Sequence, residues 1–278
     1  MKFLIKLFSY NSLTELKNIY RNLRYLIIVL IYPKNYFKLT TSQHNLERTS
    51  LDDLSNIIKN KNFIEIGFHY KQLNCVGLIE KNFTGKLIDC STLNPSTRFT
   101  GSINIFMMKL LMKINNKKVK IIDKFLHLEN LDEILENNMG VFSIDIDGNE
   151  YWFLSHMLKK KKNPDIIVTE YNASFLNHSI TVPYEKNFNI RDKYKLHIYH
   201  GASLVALNNL LENHGYSLIK VIGGTNAIFI KSEYLAKSNL QKLDPIKNYQ
   251  ECQSRNIKYN INAKEQYDLI KHLPVVKV

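Results

Sequence analysis

Cysteine is scarce in this chain. Cys75, Cys90 and Cys252 are the only three among 278 residues, they cannot all pair, and none forms a CxxC. A disulfide scaffold and a zinc ribbon are therefore excluded, and a reducing, cytoplasmic compartment is expected. Long apolar runs are also lacking. The longest, Leu26–Ile31, holds six residues between two tyrosines, far short of the roughly 18 that a membrane-spanning helix needs. A secretory leader is not expected, because Lys6 interrupts the first apolar stretch and no small-residue cleavage site follows it. Internal repeats and low-complexity segments are absent. With 45% hydrophobic and 23% charged residues, the chain has the composition of a folded globular protein.

Acidic charge is almost missing from the N-terminal part. Residues 1–40 carry Lys2, Lys6, Lys17, Arg21, Arg24, Lys34 and Lys38 against Glu15 alone, so they supply +6 of a net +13. Phe3, Leu4, Ile5, Leu7 and Phe8 interleave with Lys2 and Lys6 in the manner of an interfacial helix. The arm suits a solvated helix or peripheral contact with anionic lipid through residues 1–40, and suits nucleic acid less well.

Leu13, Leu16, Ile19, Tyr20, Leu23 and Ile27 recur at helical spacing, which predicts a helix over 12–31 ended by Pro33. Ser50-Leu-Asp-Asp reads as the start of a second helix, Leu51 to Lys59. The pattern changes near residue 62, where short apolar runs begin to alternate with amphipathic stretches. Strands are expected at Asn62–Gly67, Gly85–Asp89, Lys118–Asp123, Val141–Asp147 and Asp165–Tyr171, with helical patterns such as Leu128–Glu136, Tyr151–Lys161 and Ala202–Asn213 between or after them. Tyr216–Ile222, the turn Gly223-Gly224-Thr225 and Ala227–Lys231 read as a closing hairpin. The expected fold is α/β and Rossmann-like, in the class I methyltransferase order. It has a mostly parallel seven-stranded sheet with a terminal hairpin, plus an N-terminal helical extension. The chain divides accordingly into a basic helical extension (1–60), a Rossmann-like domain (61–234) and a C-terminal helical cap (235–278).

The residues able to carry chemistry sit at expected strand ends, where doubly wound folds bind ligands. Glu65 and Gly67 close the first strand, and the glycine permits close backbone approach there; His69, Tyr70 and Lys71 stand where a fuller cofactor loop would have further glycines. Asp89 ends the second strand, where a carboxylate can accept both hydroxyls of a ribose or else cap the next helix. Ser143-Ile-Asp-Ile-Asp-Gly-Asn-Glu-Tyr-Trp ends the fourth. Within a strand, Asp145 and Asp147 would face the same side and repel unless a cation, a proton or donors lie between them. Glu170 and Asn172 on the neighbouring strand would complete an oxygen-rich pocket for a divalent metal such as Mg or for sugar hydroxyls, with one carboxylate able to act as a general base. Gly201-Ala202-Ser203 opens a helix whose N–H groups are either capped or free for an anion. His197 and His200, three apart with no further ligands, are poor evidence for zinc.

The SIDIDGNEYW segment resembles the FkbM-like group of S-adenosylmethionine (SAM)-dependent methyltransferases, closest to a bacterial branch with an SIDIDGND/EYW segment. The likeness extends to Phe63-Ile-Glu-Ile-Gly, Gly85–Asp89, Ile167-Val-Thr-Glu-Tyr-Asn with Val182-Pro-Tyr, Tyr199-His-Gly-Ala-Ser-Leu, Gly215-Tyr with Asn226-Ala-Ile-Phe-Ile, and Leu273-Pro-Val-Val-Lys-Val. The resemblance implies a SAM site with Glu65 and Gly67 in the cofactor loop and Asp89 on the ribose. It places Asp145, Asp147 and Asn149 near methyl transfer, beside Glu170. The implied activity is O-methylation of a hydroxyl on a sugar, glycan or lipid-linked saccharide. Phe68-His-Tyr-Lys-Gln departs from the family pattern by lacking a second glycine and an acid. A non-catalytic relic that binds saccharide or membrane is one competing expectation. A metal-dependent glycosyltransferase using Asp145-Ile-Asp147 as a DxD is the other.

Overall fold

The computed structural model of the chain describes residues 27, 29, 31–40, 42, 45–91 and 98–278. The amphipathic segment at 3–8 and most of the helix expected over 12–31 lie outside the described residues. Within them the main elements are α1 (Leu46–Leu54), β1 (Asn62–Ile66), α2 (Val76–Glu80), β2 (Thr84–Asp89), α3 (Arg98–Ile114), β3 (Val119–Asp123), β4 (Val141–Ile144), α4 (Glu150–Lys159), β5 (Ile166–Glu170), β6 (Ile180–Thr181), α5 (Leu204–Glu212), β7 (Tyr216–Ile222), β8 (Asn226–Lys231), α6 (Gln253–Tyr259), α7 (Ala263–Ile270) and β9 (Val276–Lys277).

Seven strands form one sheet in the order β3-β2-β1-β4-β5-β8-β7. The first five run parallel, and β8 enters antiparallel between β5 and β7. This is the expected α/β order with its terminal hairpin. The central strands read as unbroken apolar runs because both faces are covered. Ile64, Ile66, Phe142, Ile144 and Ile167 pack on one side with α4 and α5. Phe63, Leu87, Val141, Ile166 and Val168 pack on the other with α1, α2 and α3. Each such side chain, fully buried, stabilises the fold by about 1.5–3 kcal/mol. The strand order reverses between β1 and β4, which opens a crevice at their carboxyl ends.

Several elements differ from expectation for local reasons. The strand expected over Val141–Asp147 ends at Ile144, and Asp147 takes a left-handed φ of 57°. Asp145 and Asp147 are therefore not paired on one strand face. Ser50 does not cap a helix; it lies inside α1 and donates to the Leu46 carbonyl at 2.5 Å. The amphipathic stretch Leu128–Glu136 forms only a turn at Leu131–Glu133. Asn130 competes with helix there, accepting from the His127 N–H at 2.9 Å and donating to the Phe125 carbonyl at 3.0 Å. The C-terminal region contains α6 and α7, then adds β9, which pairs antiparallel with β6. Residues 33–40 and 45–58 lie against the sheet: Glu47 of α1 is fully buried and accepts from Asn226 of β8 at 3.0 Å.

Candidate active site

A cavity of about 350 Å³ opens at the reversal of strand order, within the size range of small-molecule sites. The ends of β1 and β2 and the segment after β4 form its polar wall, through Glu65, Asp89, Asp145, Asp147 and Asn149. Phe125, Leu126, Phe153 and Phe188 form the apolar wall. Phe68, His69 and Gln72 of the 68–72 loop line the cavity without closing it, and Phe68 is also packed into the core at 2% exposure. Asn104 of α3 fixes that loop. Its amide donates to the Phe68 carbonyl and to Asp89, each at 2.9 Å, and accepts from the Tyr70 N–H at 2.7 Å.

The three residues expected to serve a cofactor all line this cavity. The carboxylate of Glu65 is occupied: its two oxygens accept from the N–H groups of Asn74 and Cys75, each at 2.9 Å, at the start of α2. Burial pushes its pKa up to about 7, against the pull of those amides. Gly67 has φ 79°, and a Cβ there would lie 1.6 Å from the Asp145 carbonyl oxygen. Its missing side chain first of all lets the β1 end cross the segment after β4. Asp89 accepts from the Cys90 N–H at 2.7 Å and from Asn104. Each of its oxygens, like those of Glu65, keeps a second lone pair, but Asp89 is only half-buried where Glu65 is 2% exposed; burial raises its pKa to about 6.

Beyond β4 and β5 the chain gathers four carboxylates, Asp145, Asp147, Glu150 and Glu170. Glu150 is the settled one, accepting from the N–H groups of Ile146 and Gly148 at 2.9 and 3.0 Å; burial still lifts its pKa to about 7. Asp145 and Glu170 lie close enough for the Asp145 charge to raise the pKa of Glu170. Burial first, and then the surrounding carboxylates, push both well above the ordinary range. Two enclosed carboxylates so close to each other disfavour both being ionised at once. Asp145 faces the cavity, and Glu170 lies behind it at 8% exposure. Asp147 has an exposed edge. Enclosure raises its pKa, while Arg255, His197 and Arg191 draw it back, and water at the exposed edge tempers all of these effects. The Asn149 side chain donates to the Glu185 carbonyl at 2.8 Å and so holds the opposite rim.

His200 and Arg255 lie behind the carboxylates. His200 is fully buried, and its Nδ1 sits 3.7 Å from Glu170 Oε2. Arg255, from α6, donates to His200 Nε2 at 3.0 Å, to Asn172 Oδ1 at 3.1 Å and to Ser174 Oγ at 3.2 Å. Burial and the Arg255 charge hold the His200 pKa well below its usual value. Asn172 itself is structural, donating to the carbonyls of Ile198 and His200 at 2.9 Å. The start of α5 is capped by Ser203, which accepts from the Ala206 N–H at 3.0 Å.

One oxygen each of Asp147 and Glu170 and one nitrogen of His200 lie within 4.8 Å of one another, close enough to surround one cation. The donor chemistry of His200 does not fit that use. Arginine has no acceptor, so the 3.0 Å contact makes Nε2 the bare nitrogen. In the neutral ring Nδ1 then carries the proton, where a metal ligand needs a lone pair; at 3.7 Å from Glu170 Oε2 it makes no hydrogen bond.

Sequence reasoning missed Asn104, Glu150 and Arg255, and weighed His200 only as a zinc ligand. Asn104 had a signal: it is the polar member of the helix face formed by Ile105, Met108, Leu111 and Met112. Arg255 had none, because it reaches the site from far along the chain.

No protein-family model matches the chain, and no curated protein matches it. Solved structures that resemble it include the pyocyanin biosynthetic protein PhzM, with TM-score 0.39, 12% identity and coverage of 67% of this chain and 55% of that one. An O-methyltransferase family protein from Burkholderia thailandensis gives TM-score 0.40 and 12% identity over 67% and 56% of the two chains. The N-terminal domain of EvdMO1, solved with S-adenosylhomocysteine (SAH) and D-fucose, gives TM-score 0.41 and 9% identity over 68% and 84%. The match spans little more than half the length of PhzM and of the Burkholderia protein. Likenesses at this level assign neither a residue nor a substrate.

Proposed function

We propose that the chain is a SAM-dependent O-methyltransferase of the FkbM-like group, acting on a hydroxyl of a sugar, glycan or lipid-linked saccharide. The observation that carries this reading is one cavity, at the reversal of strand order, that joins Asp89 at the end of β2 to Asp145 after β4, with Glu170 buried behind it. Asp89 accepts the ribose hydroxyls of SAM on its free lone pairs. Phe125 and Leu126, just after β3, offer an apolar wall for the purine ring. Gly67 leaves its backbone open to the remainder of the cofactor.

When bound, SAM supplies an electrophilic methyl group. The acceptor hydroxyl lies toward Asp145, which takes its proton as the oxygen receives the methyl. The pair must first have released its own proton to water; Glu170 then lies behind the protonated Asp145, with His200, fixed by Arg255, 3.7 Å from the Glu170 oxygen. Most of the acceleration comes from holding oxygen and methyl in line, with proton acceptance contributing roughly 10²–10⁴-fold. No step is assigned to a divalent cation.

The test incubates the purified protein with methyl-tritiated SAM and a panel of nucleotide sugars, free saccharides and lipid-linked saccharides. Incorporation of label as an O-methyl ether, lost in Asp145→Asn, is expected. Binding of a saccharide without any methyl incorporation across the panel would instead favour a non-catalytic module.

A further inference from the structure

We propose that the outer face of α3, together with the segment that ends at Leu39, is a docking surface for an anionic lipid bilayer. This goes beyond methyl transfer and does not rest on it.

The helix is apolar on both sides. Its inner face, including Ile105, Met108, Leu111 and Met112, packs on the sheet. Its outer face presents Ile103, Phe106, Leu110 and Ile114 to solvent, with Phe106 64% exposed. These four follow helical spacing, so they form one stripe, and the exposed Lys109 and Lys113 run along its border. The adjoining segment adds Ile27, Ile31, Tyr32 and Leu39, all at least 40% exposed. Asn115, just past the end of α3, ties the two segments together by donating to the Pro33 carbonyl at 2.8 Å. Eight of the fourteen exposed large apolar side chains among the described residues fall on these two stretches, a concentration that marks an interaction surface rather than scattered exposure.

Charge selects the occupant. No Asp or Glu occurs from Leu16 to Leu46 or from Arg98 to Ile122, while Lys34, Lys38, Lys109 and Lys113 all do. A surface of one sign with aliphatic and aromatic side chains among its lysines matches an anionic bilayer. Apolar groups enter the headgroup boundary and each ammonium meets lipid phosphate. Nucleic acid would reward the lysines and leave the four apolar side chains of α3 in water. Through Asn104, the same helix holds Asp89 and the 68–72 loop at the cavity wall.

The experiment sediments the full chain with sucrose-loaded vesicles of phosphatidylcholine, alone or mixed with phosphatidylglycerol. Wild type is expected to pellet with the mixed vesicles only, and less so as salt rises. At roughly 1 kcal/mol per basic side chain, Lys109→Gln with Lys113→Gln should weaken binding about thirtyfold. Phe106→Ser with Leu110→Ser should weaken it at least about tenfold, since each loses most of a buried apolar side chain. Both pairs are exposed, so an unchanged melting temperature verifies the fold. Wild type that stays in the supernatant overturns the proposal. So does equal binding to both vesicle types, unaltered binding by both double variants, or binding of single-stranded RNA in place of the vesicles.

Discussion

At the scale of single residues, the account turns on which carboxylates are free to act. Glu65 and Glu150 are fully engaged by backbone N–H groups, whereas Asp145 and Glu170 have chiefly each other. Asp145→Asn should lower kcat by roughly 10²–10⁴-fold while leaving the SAM dissociation constant within about threefold. A comparable loss of SAM affinity would show that Asp145 serves the cofactor instead. The pair also fixes the pH dependence. Burial and the neighbouring carboxylates raise its pKa well above the ordinary carboxylate range, so kcat/KM should climb with pH as its proton leaves, at a pH well above that of an ordinary carboxylate. A profile already flat at about pH 5 contradicts the assignment. Because Arg255 makes His200 a donor, methyl transfer should survive exhaustive treatment with EDTA. Activity lost to EDTA and restored by magnesium or manganese would mean that Arg255 releases the ring and a cation enters.

At the scale of elements, the strand ends decide the site. Gly67 lies where the end of β1 crosses the segment after β4. Alanine there meets both a backbone clash and a positive φ, which should cost on the order of 3 kcal/mol or more. Thermal melting of Gly67→Ala should show a drop of about 10 °C, and a change under about 2 °C would refute the packing argument. Most of the strands were legible from the sequence, because β1, β4 and β5 are buried on both faces and so read as apolar runs. The end of β4 was not. Alternation along a strand places Asp145 and Asp147 on one side only while the strand lasts, and a left-handed Asp147 leaves no pattern in sequence. The grouping of Glu170 with Asp145 was legible, since parallel strands in register bring their ends together. The supporting pair of His200 and Arg255 was not, since it joins a loop to a helix 55 residues later.

At the scale of the whole molecule, buried carboxylates make stability depend on pH. Glu65 and Glu150 have folded pKa values of about 7 against an ordinary 4.5. A raised folded pKa gives stability that is present below the unfolded value and lost as pH rises through the folded one. His200, held neutral, acts in the opposite sense, chiefly below its ordinary 6.5. Between about pH 6.5 and 8 Glu65 and Glu150 outweigh the remaining tail of the His200 titration, and the net loss should be roughly 1–2 kcal/mol, or several degrees of melting temperature. Differential scanning fluorimetry of the ligand-free chain reads this directly, and a melting temperature that is constant or rising over that interval contradicts it.

The central claim is that the cavity at the reversal of strand order binds SAM through Asp89. Calorimetric titration of the purified chain with SAM and with SAH, alongside Asp89→Ala, tests it most directly. The account predicts micromolar, one-to-one binding by wild type and a loss of at least about tenfold in the variant, the worth of one charged hydrogen-bonding group. No heat of binding up to millimolar ligand, or equal binding by Asp89→Ala, would contradict it.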